Sequence, residues 1–358
     1  WEQTAQTNIG WDLGFFDGRL NIGGDFYYKK TTDLFTNVDV SPINGITSYI
    51  MNNGDMLNKG FSISLNGYPV KTKNFRWYMS TYYSVNLNKV QTDDARNYNL
   101  NDYLNGTAVV SGQPISTFYS YKFLGLNPQN GAPMFDDWED RWHLLQGKTL
   151  DEVVPMILVN SGTRDPKFSG DLNNTFTYKN WSLSLNFSYS LGSKVRLFEM
   201  YGPIINGISA AANVREEFLD RWQVPGDEKY TVYPSIISPS SPDYEHYRLH
   251  YSAPQRAVGP NSGVPAFANN VWQMYDDSDL RVVSGNYLKL QSLSFSYRLN
   301  DRLLRKTPFT QLSISFNTHN CFTISAKELR GQDPSQAGFA DAGLSIRPSY
   351  TIGLNVSF

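Results

Sequence analysis

Large apolar residues recur at every second position through much of this chain. In the closing stretch YTIGLNVSF they are separated by threonine, glycine, asparagine and serine. The segments WSLSLNFSYSL and QLSISFNTH alternate in the same way. The apolar positions of these three segments include Leu183, Leu185, Phe187, Ile314, Phe316, Ile352, Leu354 and Val356. Because successive side chains of a β-strand point to opposite faces, the repeat predicts strands with one apolar and one polar face.

The alternation predicts about eleven strands. They lie near residues 3–15, 19–32, 56–70, 75–90, 116–125, 131–136, 168–179, 181–194, 285–299, 310–320 and 346–358. The first two meet at Asp17-Gly18, a dipeptide that is a strong hairpin signal. Soluble antiparallel sheets alternate in the same way, so the class of protein has to be decided by the connections between strands.

Short and long connections take turns along the chain. The short ones include residues 16–18, 71–74 and 179–180, and the long ones are residues 33–55, 91–115, 137–167, 195–284 and 321–345. Nothing in a soluble β-sandwich requires short and long connections to alternate regularly. Bacterial outer-membrane barrels do alternate in this way, because they have short periplasmic turns and long extracellular loops. The pattern therefore predicts a transmembrane antiparallel β-barrel whose last strand ends, at Phe358, on the periplasmic rim.

A barrel also explains strands that are apolar on one face and polar on the other. In lipid every backbone N–H and C=O group has to pair between strands, so the sheet must close. The eight apolar positions named above are then expected to face lipid, with tyrosine and tryptophan at the edges of the apolar band. Closed bacterial barrels have an even number of strands, so we expect further strands, and anything that plugs the lumen, upstream of Trp1.

Composition narrows the classes further. The chain has 358 residues, 31 basic and 33 acidic, so its charge gives no electrostatic argument for binding nucleic acid, which requires a basic face. Its mean hydropathy is −0.42, and no stretch approaches the roughly 18 apolar residues of a membrane helix. Aromatic residues nevertheless make up 15 % of the chain, which suits short alternating strands. Cys321 is the only cysteine, so an intrachain disulfide is excluded.

Several motifs, in order along the whole chain, resemble the barrel segment of the SusC/RagA-like TonB-dependent transporters of Bacteroidetes. They are WEQTAQTNIGWDLGFFDGRLNIGGDFYYKKTTDLF, NNGDMLNKGFSISL, YKFLGLNPQNGAPMF, FLDRWQVPGDE, SDLRVVSGNYLKLQSLSFSYRL and SYTIGLNVSF. The stretch FNTHNCFTISAKELRGQDPS departs from the family, because it keeps Asn320 and Asp333-Pro334 but replaces the rest of the usual pattern. This departure bears on the substrate more than on the fold.

The resemblance implies an all-β outer-membrane protein of a Gram-negative bacterium, of which residues 1–358 form the C-terminal part of one barrel domain. This part would supply about 11 of an expected ~22 strands, with long extracellular loops. The plug domain and the TonB box would lie outside it. The family imports an oligosaccharide or an oligopeptide, uses the TonB complex for energy, and works with a SusD-like surface lipoprotein as a lid. Dimers of such transporter–lipoprotein pairs are common, and Phe358 would be the signal read by the barrel-assembly machinery.

Two other readings stay open at this point. One is a TonB-dependent siderophore or cobalamin receptor that works without a lipoprotein lid. The other is a soluble or surface-anchored β-rich glycan-binding module, in which the apolar faces of strands 181–191 and 350–358 would pack on a second sheet. The long connection at residues 195–284 favours the transporter with a lid, because a docking surface for a lid needs such a loop.

The chain contains residue types that can act in catalysis or bind metals, but their spacing in the sequence does not match known catalytic or metal-binding motifs. His246 and His250 lie four apart in a loop flanked by proline and serine, without the HExxH spacing of a zinc helix. The acidic residues that could bind calcium are Asp136, Asp137, Glu139 and Asp140 in DDWEDRWHLL and Asp276, Asp277 and Asp279 in MYDDSDL, but neither set matches a calcium loop. No serine lies in a nucleophile elbow. We therefore expect neither enzyme activity nor a cofactor nor a metal site.

Aromatic residues in the predicted loops are the best candidates for binding. They are Trp138, Trp142, Trp222, Tyr244, Tyr247, Tyr251, Trp272 and Tyr275. Flat amphipathic rings stack on sugars and peptide side chains and are favoured at protein interfaces. These residues are therefore expected to contact cargo or the lid, and the alternative is that they pack the loops internally.

Overall fold

Nine long antiparallel strands form one sheet in the computed structural model, which describes residues 1–39, 43, 45–46, 48–92, 98–136, 139–204, 214–236, 271–335 and 347–358. We call this sheet the wall. Its strands are β1 (Gln3–Phe15), β2 (Leu20–Thr32), β5 (Asp55–Lys71), β6 (Phe75–Gln91), β11 (Phe168–Tyr178), β12 (Trp181–Leu191), β15 (Tyr287–Arg298), β16 (Gln311–Ser325) and β17 (Ser349–Ser357). Each pairs with the next in this order, so β1 and β17 are the two edges and the wall is an open arc of a barrel.

The wall has one apolar and one polar face, as the alternation predicts. Leu183 of β12 lies opposite Phe295 of β15, which lies opposite Phe316 of β16, which lies opposite Ile352 of β17. Because side chains alternate along each strand, this register places all eight of the apolar positions singled out in the sequence on one face. Serine, threonine and asparagine cover the other face, where they hydrogen-bond across strands; Tyr27 donates to Asn86 over 2.7 Å.

The remaining elements lie between the wall strands. The strands are β3 (Phe35–Asp39), β4 (Ser48–Asn52), β7 (Thr117–Tyr121), β8 (Gly125–Leu126), β9 (Pro133–Met134), β10 (Leu158–Thr163), β13 (Lys194–Arg196) and β14 (Val282–Ser284). The helices are α1 (Leu100–Asn105), α2 (Leu150–Ile157), α3 (Val271–Asp276) and α4 (Asp301–Leu304). None of the described helices is both long and apolar enough to cross a membrane.

The predicted number of wall strands was wrong by two. The segments predicted at 116–125 and 131–136 do not join the wall; β7 pairs with β10, and the two-residue strands β8 and β9 pair with each other. The reason is burial, because every residue of β7 is buried and a strand covered on both faces cannot form part of a two-faced wall. Removing one hairpin leaves the parity of the connections unchanged.

Short connections lie at one rim of the wall and long connections at the other. At the short rim the β1–β2 turn runs through Phe16 and Asp17 with φ near 54° and through Gly18 with φ of 78°. The other short connections are 72–74, 179–180 and 299–310, the last of which contains α4. Aromatic rings cluster beside these turns. For example, the ring centroids of Trp181 and Tyr297 are 4.2 Å apart. This cluster matches the aromatic belt of a membrane interface.

Candidate functional site in the long loops

The long connections at the other rim pack against each other. Apolar residues from the described segments 98–136, 139–158, 200–204, 214–236 and 271–275 form one shared buried cluster, which we call the loop core. Its buried members are Tyr103, Leu104, Ala108, Tyr119, Tyr121, Phe135, Leu145, Val153, Val154, Leu158, Met200, Tyr201, Ile204, Phe218, Val271, Trp272, Met274 and Tyr275. A contiguous core of this kind gives the loops a defined shape above the wall.

A buried carboxylate joins two parts of the loop core. Asp276, at the end of α3, accepts hydrogen bonds from the backbone N–H groups of Met200, Tyr201 and Gly202, each at 2.8 Å. Burial raises the pKa of Asp276 to about 6, against the opposing effects of Arg281 and of these three donors. The carboxylate thus organises the turn at 200–202, which is separated from it by more than 70 residues of chain.

Arg196 links three loop segments through its guanidinium group. It pairs with Asp277 at 2.7 Å and donates to the carbonyl oxygens of Tyr119 at 2.7 Å and Leu104 at 3.2 Å. Burial lowers the pKa of Arg196 and raises the pKa of Asp277, and the attraction between the two charges opposes both shifts. Since each charge is held by the other, removing either one alone leaves a buried charge without its partner.

The last long connection, which follows β16, is tied to the wall and to residues 196–198. Lys289 of β15 is buried and pairs with Asp333 at 3.0 Å. The neighbouring Gln332 accepts a hydrogen bond from the N–H of Phe198 at 3.1 Å and donates to the carbonyl of Arg196 at 3.2 Å. Asp333, which belongs to the tail motif kept from the family pattern, therefore anchors this connection.

The structure covers only part of the predicted aromatic set. Trp272 and Tyr275 are buried in the loop core, at 4 % and 0 % exposure, and Trp222 is 7 % exposed and packs against Gly131. These three follow the alternative of internal packing: a ring covered by its own protein offers no face to cargo or lid. Trp138, Tyr244, Tyr247 and Tyr251 lie outside the described residues, as does the side chain of Trp142.

The described acidic residues that were considered as calcium ligands form ion pairs or hydrogen bonds with other groups of the protein. Asp279 pairs with Lys122 at 2.8 Å, and Asp277 and Asp276 make the contacts described above. Asp136 pairs with Arg141 at 2.6 Å. Within the described part of the chain, no three acidic, histidine or cysteine residues form a group that could hold a metal ion. His246, His250 and Asp137, and the side chains of Glu139 and Asp140, lie outside that part.

Sequence reasoning missed an exposed apolar surface on the segment 214–236. Tyr230 is 90 % and Leu219 is 74 % exposed, and Val224 and Val232 of the same segment are exposed as well. We call these four residues the loop patch. The segment is held in place because Asp227 accepts hydrogen bonds from the N–H groups of Gln223 and Val224, both at 2.9 Å. The sequence shows only that these four apolar residues lie in a loop rich in charged residues, and this does not by itself predict that their side chains are exposed.

These features fit a large barrel with structured loops, and comparison with known families identifies it. A family model described as "TonB dependent receptor-like, beta-barrel" matches residues 1–215, which is more than half of the chain. The chain belongs to this family. It is therefore an outer-membrane β-barrel protein, the short turns of the wall lie at the periplasmic rim, and the long loops are extracellular. The reading as a soluble glycan-binding module was wrong.

Curated relatives carry the same family name. TonB-dependent receptor P3 of Formosa agariphila is 24 % identical over 100 % of this chain and 34 % of its own length. TonB-dependent receptor SusC of Bacteroides thetaiotaomicron is 29 % identical over 58 % of this chain and 20 % of its own length. The chain spans about a third of the length of the relatives that match it from end to end.

Solved structures show the same fold. The chain is similar to the structure of the RagAB peptide transporter, with a TM-score of 0.68, 19 % identity, and coverage of 100 % of this chain and 36 % of that one. The RagAB peptide importer in its closed-closed state gives a TM-score of 0.69 at 20 % identity. At such identities the likeness concerns the fold and leaves the cargo open.

Proposed function

We propose that the full-length protein imports an oligomeric nutrient, an oligosaccharide or an oligopeptide, across the outer membrane with energy from the TonB complex. A SusD-like lipoprotein is the proposed lid, and the working assembly is a dimer of such pairs. The protein is neither an enzyme nor a carrier of a cofactor in this proposal. Support comes from the family, from relatives named as TonB-dependent receptors, and from a structural neighbour titled a peptide transporter.

Residues 1–358 have a defined place in this proposal. They form part of a single barrel domain, while the plug and the TonB box belong to the rest of the full-length protein. The apolar face of the wall, with Leu183, Leu185, Phe187, Ile314, Phe316, Ile352, Leu354 and Val356, faces lipid. The polar face, with its serine and asparagine side chains, lines the path of the cargo.

The observation that carries the proposed lid is the loop patch. Large apolar side chains exposed on one surface segment are available for contact with another protein. Tyr230 and Leu219 are the most exposed of the four, and the hydrogen bonds from Gln223 and Val224 to Asp227 fold the chain between them into a turn. A preformed apolar surface of this kind costs little entropy when a partner binds.

Replacing the loop patch with charge tests the proposed lid. The variants Tyr230→Glu and Leu219→Glu, made in the full-length protein, should reduce the amount of lipoprotein that copurifies from native membranes in mild detergent. We expect about a tenfold loss for each, because tyrosine anchors commonly contribute more than 1 kcal/mol to an interface. Quantitative mass spectrometry of the purified complex measures the ratio of lipoprotein to barrel.

The matched control is Ile50→Glu, an exposed apolar residue on the β3–β4 hairpin of another loop. Equal loss in the control would mean that added charge, rather than the patch, disturbs the complex. A wild-type barrel that purifies alone and carries an iron chelate would instead support the siderophore or cobalamin receptor. The same mass spectra identify any bound glycan or peptide, and so the cargo.

A further inference from the structure

A gap interrupts the apolar face of the wall near its periplasmic rim. Leu20 of β2, Gly67 of β5 and Met79 of β6 lie in one row across three strands. Gly67 has no side chain, and a Cβ atom there would clash with the carbonyl oxygen of Arg19. The ladder between β5 and β6 also shifts register between Gly67 and Val70, which bends β5 away from a regular path.

The gap is a groove with a volume of about 500 Å³. This volume falls within the range of ~300–1,000 Å³ that is typical of small-molecule sites. Apolar residues dominate its lining, and Arg19 is the one charged residue among them. The lining residues are Phe16, Arg19, Leu20, Leu65, Gly67, Tyr68, Pro69 and Met79.

Arg19, the charged residue that lines the groove, is available to bind an anion. Arg19 lies in the β1–β2 turn and is exposed, and its side chain forms no hydrogen bond or ion pair with any described residue. Its carbonyl oxygen accepts the N–H of Tyr68 at 2.8 Å, so the backbone beside the groove is fixed. Lys71, at the end of β5, adds a second cation near this rim.

We propose that this groove binds an anionic glycerophospholipid of the periplasmic leaflet, with an acyl chain along Leu65, Gly67 and Met79 and the phosphate on Arg19. The position favours a lipid for two reasons. The groove opens on the apolar face, opposite the polar lumen, and an arginine at the rim lies at headgroup level. A guanidinium group binds a phosphate through two parallel hydrogen bonds and is attracted to anionic lipid.

Protein occupants fit the groove less well. The strands β2, β5 and β6 each already have a neighbour on both sides, so no further strand can enter between them. A plug inside the barrel would contact the opposite face of the wall. The proposal depends on the barrel and its orientation alone, and it stands whether or not the proposed cargo and lid are correct.

Lipid retention by the full-length protein tests the proposal. The purified protein is equilibrated in nanodiscs with equal amounts of phosphatidylglycerol and phosphatidylethanolamine, and native mass spectrometry counts the lipids that remain after release from the disc. We expect the wild type to prefer phosphatidylglycerol. Arg19→Gln should reduce that preference about fivefold, and Arg19→Lys should keep most of it, because a cation near anionic lipid contributes on this order.

A second variant tests the acyl-chain part of the groove. Met79→Trp fills the space left by Gly67 and should lower the retention of both lipids. Where this variant does not fold, Met79→Phe takes its place. The matched control is Lys179→Gln, which removes a cation from another periplasmic turn outside the groove. An unchanged lipid preference in Arg19→Gln, or an equal loss in Lys179→Gln, would overturn the proposal.

Discussion

At the scale of single residues, buried polar groups decide how the extracellular loops fit together. Asp276 accepts three backbone N–H groups and Arg196 bonds to carbonyl groups of two distant segments. Burying such polar groups without hydrogen-bond partners costs free energy, and when every partner is present they favour one particular packing arrangement. They therefore select one arrangement of the loops among the many that would bury the same apolar side chains.

Asp276 should make the stability of the loop core depend on pH. Burial raises the pKa of this carboxyl group to about 6 from 3.8, so the folded loops bind a proton more tightly than the unfolded loops do. Linkage then requires that the contribution of Asp276 favours folding more as the pH falls from 7 to 4.5. The change has an upper bound of roughly 3 kcal/mol, from about two pKa units.

Hydrogen exchange in the full-length protein measures this effect. Protection of the amides of Met200, Tyr201 and Gly202, corrected for intrinsic exchange, should be greater at pH 5 than at pH 7. In Asp276→Asn the difference between the two pH values should shrink, because the side chain no longer titrates. Asp301→Asn in α4, at the opposite rim, is the control. An unchanged difference in Asp276→Asn would refute the assignment.

At the scale of the strand, alternation decides which residues meet lipid. Leu185 and Asn186 are neighbours in β12 and point to opposite faces of the wall. Leu185 lies opposite Leu293 on the apolar face, while Asn186 lies opposite Ser292 on the polar face. The pair offers a matched comparison at nearly the same depth in the membrane.

A lysine at these two positions should have unequal effects. Leu185→Lys should destabilise the folded barrel by about 2–4 kcal/mol, since a charge on the lipid face near the midplane has to be desolvated. Asn186→Lys should cost much less, because the lumen is polar and hydrated. Urea titration of the full-length protein folded into vesicles measures both. Equal costs would contradict the assignment of the lipid face.

At the scale of the whole molecule, the barrel has to be recognised and inserted before any loop can act. The family resemblance makes Phe358 the proposed assembly signal, and this residue is 85 % exposed at the periplasmic end of the wall. The same ring also touches Phe309, with 5.3 Å between the centroids. Packing and signalling therefore have to be separated by experiment.

Removing each ring in turn separates the two roles. We propose that the terminal ring is the group that the assembly machinery recognises, so Phe358→Ala in the full-length protein should reduce the amount of folded barrel in the outer membrane several-fold. Phe309→Ala removes the same ring contact but leaves the terminus intact, so it should have little effect. Heat-modifiable migration in gels quantifies the folded fraction. Equal loss in both variants would show that Phe358 acts through packing alone.

The sequence alone predicted all nine wall strands, together with two further segments that do not join the wall. Strand alternation is local, so each of the nine wall strands could be placed within a few residues, and a large sheet with short and long rims followed from the connections. The loop strand β7 could not be placed from TFYSY, since its residues are buried on both faces by segments far along the chain. The alternation of apolar and polar residues therefore predicts the fold and the membrane location, because it can be recognised without knowing which segments are in contact.

Tertiary structure alone decided the features that join distant segments. The contacts of Asp276 with residues 200–202 bridge more than 70 positions, and the groove beside Gly67 exists only where three strands are aligned. Trp272 and Tyr275 were predicted from their residue type to contact cargo or the lid, but both rings are buried in the loop core. A ring can bind cargo only when one of its faces is free. Periodicity determines which face of a strand meets lipid, whereas packing between remote loops determines what the barrel presents to its partners.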